Sequence, residues 1–155
     1  MNTRHPLSSS PSPVPPSRPA APVRVLLVED DDTLRRALRA GLERHGCVVA
    51  DAADGNEAQA WLHAAAFDWV VTDIVMPECD GIELLRRLRS AHPHTGVVAM
   101  SGGGLGDAGD YLHMARLLGA HHVLKKPFVY TELLPLLVPG GADALRPRNP
   151  AVDAL

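Results

Sequence analysis

Val23-Arg24-Val25-Leu26-Leu27-Val28 runs directly into Glu29-Asp30-Asp31-Asp32. A short, nearly continuous apolar run of this kind reads as a strand buried on both faces, as in a parallel sheet covered by helices. Thr33–His45 then places Leu34, Ala37, Leu38 and Leu42 at helical spacing with arginines between, and Gly46 stands at the natural stop. The alternation continues to the end of the patterned region. Strands are predicted over 47–50, 69–74, 96–101 and 122–125, and helices over 56–66, 82–91, 110–118 and 130–138. In the third helix Ile82, Leu84, Leu85 and Leu88 form the apolar face, while Arg86, Arg87 and Arg89 are expected to face out. Five strands alternating with five helices give an α/β fold with a five-stranded parallel sheet. Right-handed crossovers would put helices on both faces.

Composition bounds the rest. Of the first 22 residues, seven are proline and five serine, which reads as a solvated, disordered Pro/Ser-rich arm. Residues 139–155 lack core patterning and are expected to be a flexible C-terminal tail. The remaining segment, 23–138, is 116 residues long, enough for one well-buried core. It carries 11 Lys/Arg against 16 Asp/Glu, a net of −5; the arm adds two arginines, and the full chain stands at −3. A mildly acidic surface lacks the basic footprint of a nucleic-acid binder, so no direct DNA binding is expected. No apolar run reaches about 18 residues, which argues against a membrane span. The N-terminus has no secretory apolar stretch. Cys47 and Cys79 are the two cysteines, too few for a disulfide framework, and point to a reducing, cytoplasmic setting.

In an open parallel sheet, ligands bind outside the carboxyl ends of the strands. The first strand ends in Glu29 and Asp30, the third in Asp73, the fourth in Ser101 and the fifth in Lys125-Lys126-Pro127. Packing alone gives no reason for three carboxylates, a hydroxyl and an ammonium to gather there. Crowded carboxylates raise one another's pKa unless a cation joins them. Hard oxygen ligands with room for water suit Mg²⁺. An aspartate beside that metal can attack phosphorus and form an acyl phosphate, with the lysine and hydroxyl stabilising the transferred oxygens.

The pieces Val25-Leu26-Leu27-Val28-Glu29-Asp30, Asp73-Ile74-Val75-Met76-Pro77 with Asp80-Gly81, Ser101-Gly102 and Lys126-Pro127-Phe128 resemble the receiver domain of two-component response regulators, in order and in spacing, across essentially all of 23–138. The resemblance implies a flavodoxin-like (β/α)5 fold with strand order 2-1-3-4-5. It implies that Asp73 is the phosphoacceptor and that Asp30, Asp73 and the backbone carbonyl of Val75 ligate Mg²⁺, with Glu29 acting mainly through bound water. Ser101 would hydrogen-bond the phosphoryl group and Lys126 would ion-pair with it, while Lys125 would be exposed. The Lys126-Pro127 bond would be cis. The donor would be the phosphohistidine of a sensor histidine kinase or phosphotransfer protein, and output would pass through a downstream protein. A phosphoryl shuttle or sink fits the same pattern. Since 17 residues follow 138, a stand-alone receiver that is a switch rather than an enzyme is expected.

Several positions depart from that pattern. The switch position three before the lysine, usually Tyr or Phe in the family, is Val123, which has no ring to swing. Val75 and Gly103 stand two residues beyond Asp73 and Ser101, where family side chains cover the phosphoryl group. Pro135 lies inside the last helix, which should be short or kinked. A phosphorylation-independent pseudo-receiver is the alternative, favoured by Val123 and Pro135 and opposed by the intact acidic, hydroxyl and lysine set. A Mg²⁺-dependent phosphohydrolase would need a second aspartate two residues beyond Asp73, where Val75 stands. His92-Pro93-His94 and His121-His122 lack zinc-ligand spacing. Cys79 has no basic neighbour to activate it. Gly102-Gly103-Gly104-Leu105-Gly106 lacks the Lys-Ser/Thr of a P-loop and reads as a mobile loop.

Overall fold

Among the described residues each strand is followed by a helix, five times over. The computed structural model describes residues 21–76, 81–102 and 107–138. The elements are β1 (Arg24–Val28), α1 (Asp32–Arg44), β2 (Val48–Ala52), α2 (Gly55–Ala64), β3 (Trp69–Asp73), α3 (Gly81–Ala91), β4 (Gly96–Ser101), α4 (Ala108–Leu117), β5 (His122–Lys125) and α5 (Tyr130–Leu137). The strands form one parallel sheet in the order β2-β1-β3-β4-β5. The arm expected at 1–22 lies outside the described residues except for 21 and 22. So do the expected tail at 139–155, Pro77, Cys79, Asp80 and the glycine-loop residues 103–106.

The continuous apolar reading of β1 has a simple cause, since both sheet faces are covered. Val25 and Leu27 pack with Leu38 and Leu42 of α1 and with Leu133, Leu134 and Leu137 of α5. Leu26 and Val28 point the other way, into a cluster with Ala58 of α2, Ile82, Leu84, Leu85 and Leu88 of α3, and Leu112 and Ala115 of α4. Val25 through Val28 are fully buried. Each such side chain contributes about 1.5–3 kcal/mol by leaving water.

Local sequence sets several helix ends. Asp31 caps α1 by accepting from the N–H of Leu34 at 3.0 Å. Asp54 caps α2 through the N–H groups of Asn56 and Glu57, at 2.8 and 2.9 Å. Asp107 does the same for α4 through Gly109. A side-chain oxygen that satisfies an orphan amide in this way stabilises a helix start by about 1 kcal/mol. Gly46 ends the α1 turn with φ +85° and Gly119 ends that of α4 with φ +101°, a region that favours glycine.

Some expectations shift. β2 begins at Val48 rather than Cys47 and continues to Ala52, because Asp51 and Ala52 pair in register with Leu27 and Val28. It is an edge strand, and the polar Asp51 is tolerated there. Ala37 is exposed; the core face of α1 is completed by Gly41, against which Tyr130 packs so closely that a Cβ would lie 2.4 Å from the ring. Arg86 and Arg87 do face out, but Arg89 is half-buried and donates to the carbonyl of Thr95 at 3.3 Å. α5 is short, as expected. Its Pro135 removes the donor that would have met the carbonyl of Thr131, and both residues are exposed, so water can hydrate that carbonyl.

At the opposite end of the sheet from the acidic residues, Gly96 lies across from Trp69, whose ring fills the space a Cβ would need. His121 and His122 pack on the same ring. The N–H of Val97 donates to His121 Nδ1 at 3.0 Å, and the N–H of His121 donates back to the Val97 carbonyl at 2.8 Å. Desolvation, followed by the charges of Arg89 and His122, holds His121 below its ordinary value of 6.5. The unfolded chain therefore takes up the proton first, and stability falls as pH drops from 6.5 toward the folded-state value. Thermal unfolding at pH 7.5 and 5.5 should show this loss. In His121→Asn, whose Oδ1 can accept the same bond without titrating, the loss should be smaller. Equal pH dependence in the two proteins would overturn the assignment.

Candidate functional site

The carboxyl ends of β1, β3, β4 and β5 bring Glu29, Asp30, Asp73, Ser101 and Lys126 to one place. Glu29 follows the last residue of β1, and its N–H is still held by the carbonyl of Ala52 at 3.1 Å. Its side chain is fully buried. Oε1 accepts from the N–H of Asp31 at 3.1 Å and Oε2 from Lys126 Nζ at 2.5 Å. Asp73 closes β3 and is 5% exposed. Its Oδ1 accepts from the N–H of Val75 at 2.9 Å and its Oδ2 from Lys126 Nζ at 2.6 Å. Asp30 is exposed at the rim. Carboxylate oxygens of Glu29, Asp30 and Asp73 lie within 4.8 Å of one another.

Ser101, the last residue of β4, is fully buried, and its carbonyl accepts from the N–H of Lys126 at 2.9 Å. That bond extends the β4–β5 pairing by one residue and carries Lys126 to the site, while Lys125 is exposed as expected. The Lys126-Pro127 bond is cis. Beside the ammonium, Leu34, Gly102, Lys126, Pro127 and Phe128 line an open groove of about 380 Å³.

The electrostatics follow from one cation serving two buried anions. Burial pushes the Glu29 carboxyl above its ordinary range, and the neighbouring Asp73 charge adds to this; the Lys126 and Asp31 hydrogen bonds only partly oppose it. Burial alone would pull Lys126 down, but its bonds to Asp73 and Glu29 prevail and hold it above its ordinary value. The cluster therefore remains net negative, with hard oxygen donors at its mouth. That donor set fits a small divalent cation with oxygen preference.

Val75 is half-buried beside Asp73. Val123 is half-buried against the core cluster that α2, α3 and α4 form on one face of the sheet. One participant was invisible in the sequence: Arg35, which donates from Nη1 to the carbonyl of Glu29 at 2.8 Å. Nothing in its local pattern distinguishes it from the other arginines of α1.

The chain is similar to known response regulators. "Response regulator MprA" of Mycolicibacterium vanbaalenii is 38% identical over 116 residues, covering 73% of this chain and 48% of that protein. "Transcriptional regulatory protein QseB" of Haemophilus influenzae is 34% identical over 111 residues, covering 72% of this chain and 49% of that one. The chain thus spans about half the length of these curated relatives. The solved structure of the chemotaxis response regulator CheY4 of Vibrio cholerae superposes with a TM-score of 0.66 at 30% identity, covering 75% of this chain and 96% of that one.

The expectation of no direct DNA binding is corrected by these relatives, one of which is a transcriptional regulatory protein of about twice the matched length. The charge balance of 23–138 describes that segment's own surface and carries no information about a module joined to it. Among the described residues, no helix is long and apolar enough to cross a membrane. A model of the response regulator receiver domain matches residues 25–137, and with the five-stranded 2-1-3-4-5 sheet and the acidic cluster at its carboxyl end, this chain belongs to the receiver domain family of two-component systems.

Proposed function

We propose that the protein is a phosphoaspartate switch in which Asp73 accepts a phosphoryl group from the phosphohistidine of a sensor histidine kinase or phosphotransfer protein. The observation that carries this reading is the single ammonium of Lys126 bridging Glu29 and Asp73, at 2.5 and 2.6 Å, with the Asp30 carboxylate beside them. In the transfer, an oxygen of Asp73 forms a bond to phosphorus, the donor's P–N bond breaks, and the imidazole leaves with its electron pair and takes a proton from water. Lys126 would follow the charge from the carboxylate to the phosphoryl oxygens, and the Ser101 hydroxyl would donate to them from the end of β4. Asp30, Asp73 and the carbonyl of Val75 would hold Mg²⁺, with Glu29 acting through water. The metal, when bound, would neutralise charge on the transferring oxygens.

The chain takes part in its own phosphorylation and turns over no separate substrate, so it is a switch rather than an enzyme, in the cytoplasm where its donor resides. Phosphorylation shifts an existing equilibrium between two arrangements of the β4–β5 end, and the output follows in whatever partner or module reads that surface. Val123 carries no ring, so the change propagates through Ser101 and the loop after it. A shuttle or sink for phosphoryl groups would use the same site.

Incubation with acetyl phosphate followed by intact-mass measurement tests the reading. The expected result is a Mg²⁺-dependent gain of one phosphoryl group, absent in Asp73→Ala. If neither a phosphoryl adduct nor a beryllium fluoride complex forms, the phosphorylation-independent interaction module replaces it.

A further inference from the structure

Arg35 is a charged side chain only 13% exposed, and its three guanidinium nitrogens reach three separate parts of the fold. Nη1 donates to the backbone carbonyl of Glu29 at 2.8 Å, just past the end of β1. Nε donates to Asp51 Oδ2 on β2 at 3.0 Å, and Nη2 to Asp32 Oδ1 in the first turn of α1 at 2.6 Å. Burying a guanidinium is costly unless its donors are met. Here two of the nitrogens meet carboxylates, so its charge is balanced locally. The third goes to a main-chain carbonyl at the acidic site.

That carbonyl belongs to the peptide joining Glu29 to Asp30. Beyond Val28 the sheet no longer fixes this segment by ladder bonds other than that of the Glu29 N–H. Asp30 is exposed, so packing does little to aim its carboxylate. Its direction follows from the backbone that Arg35 holds. We infer that Arg35 is a positioning residue for the divalent-cation site: by clamping the Glu29 carbonyl against Asp51 and Asp32, it aims Asp30 toward Asp73. This rests on the Mg²⁺ site proposed above.

A purely structural role, stapling α1 to β2, is the rival account. Arg39 separates the two, because it also pairs with Asp51, and with Glu43, but has no bond to Glu29. Mg²⁺ titration calorimetry on the unphosphorylated full chain is the primary readout. Outer partners of metal ligands typically govern affinity by a factor of 10 or more, so Arg35→Gln should weaken Mg²⁺ binding about tenfold. Arg35→Lys should weaken it as well, because one ammonium cannot span three acceptors. Arg39→Gln should bind Mg²⁺ as the wild type does.

In acetyl phosphate labelling, the Arg35 variants should need more Mg²⁺ for half-maximal rate, and saturating Mg²⁺ should restore the maximal rate. Wild-type affinity in a folded Arg35 variant, or an equal loss in Arg39→Gln, overturns the inference. If Arg35→Gln fails to fold, the Arg35→Lys result decides. A wild-type protein that binds no Mg²⁺ overturns the proposed site, and the role of Arg35 with it; binding in the wild type that is lost in Asp30→Asn isolates the Arg35 question.

Discussion

Replacing Lys126 with methionine is expected to lower the stability of the metal-free protein by about 3 kcal/mol at pH 7. Methionine keeps most of the stem, so the loss is of charge rather than of packing. Among the described residues, the ammonium is the one side-chain cation that bridges Glu29 and Asp73, whose side chains are 1% and 7% exposed. Without it, two carboxylates face each other out of water. Removing one partner of a buried ion pair costs more than the pair contributed, because the remaining charge is uncompensated.

The pH dependence gives a second check. Burial already holds Glu29 above its ordinary value of 4.5 with the lysine present, and removing Lys126 takes away the main opposing influence. The folded variant then binds a proton that the unfolded chain releases near 4.5. Its deficit is full above the folded-state value and shrinks as pH falls toward 4.5. Urea unfolding of both proteins at pH 7 and pH 5 should show the gap narrowing at the lower pH, and Mg²⁺ at pH 7 should recover part of it. Equal stability at pH 7 would mean that the lysine does not neutralise the cluster.

Gly81→Ala is expected to cost about 3 kcal/mol, the upper end of what overpacking usually does. A Cβ at Gly81 would lie 2.4 Å from the carbonyl oxygen of Asp73 and 2.6 Å from the Cα of Ile74. Both are backbone atoms and cannot rotate away. The start of α3 would have to lift from the end of β3, breaking the bond from the Gly81 N–H to the Ile74 carbonyl, now 3.1 Å. The same displacement would disturb Asp73, so acetyl phosphate labelling should fall along with stability. Gly109→Ala is the control. Its Cβ would have the Asp107 side chain as its nearest neighbour, at 3.6–3.7 Å, which is ordinary contact, and its backbone is not left-handed. Alanine there should be neutral or stabilising by up to about 1 kcal/mol. Similar unfolding midpoints for the two variants would remove the close-approach argument.

Glu29, Asp30, Asp73, Ser101 and Lys126 were legible because each stands at a strand's end, and strands buried on both faces announce themselves as apolar runs. The helix caps Asp31, Asp54 and Asp107 are local too, each reaching an amide two or three residues on. Arg35 was not legible, since its partner Asp51 is 16 residues away and its bond to Glu29 depends on how α1 lies across the end of β1. Gly41 was not legible for a similar reason: Tyr130, 89 positions later, occupies the space beside it. Arg89, whose place in the helical pattern predicts exposure, finds the carbonyl of Thr95 through the turn that follows α3.

The sequence by itself determined the alternation of strands and helices, the two-sided burial of the sheet, and which polar residues would reach its carboxyl end. These follow from hydrophobic period and local hydrogen bonding, which act within a few residues. Only the tertiary structure decided that one ammonium would serve both Glu29 and Asp73, that Arg35 would hold the peptide carrying Asp30, and that Val123 would pack against the cluster under α2, α3 and α4. Those outcomes depend on distances between elements far apart in the chain, set by the packing of helices on both faces of the sheet.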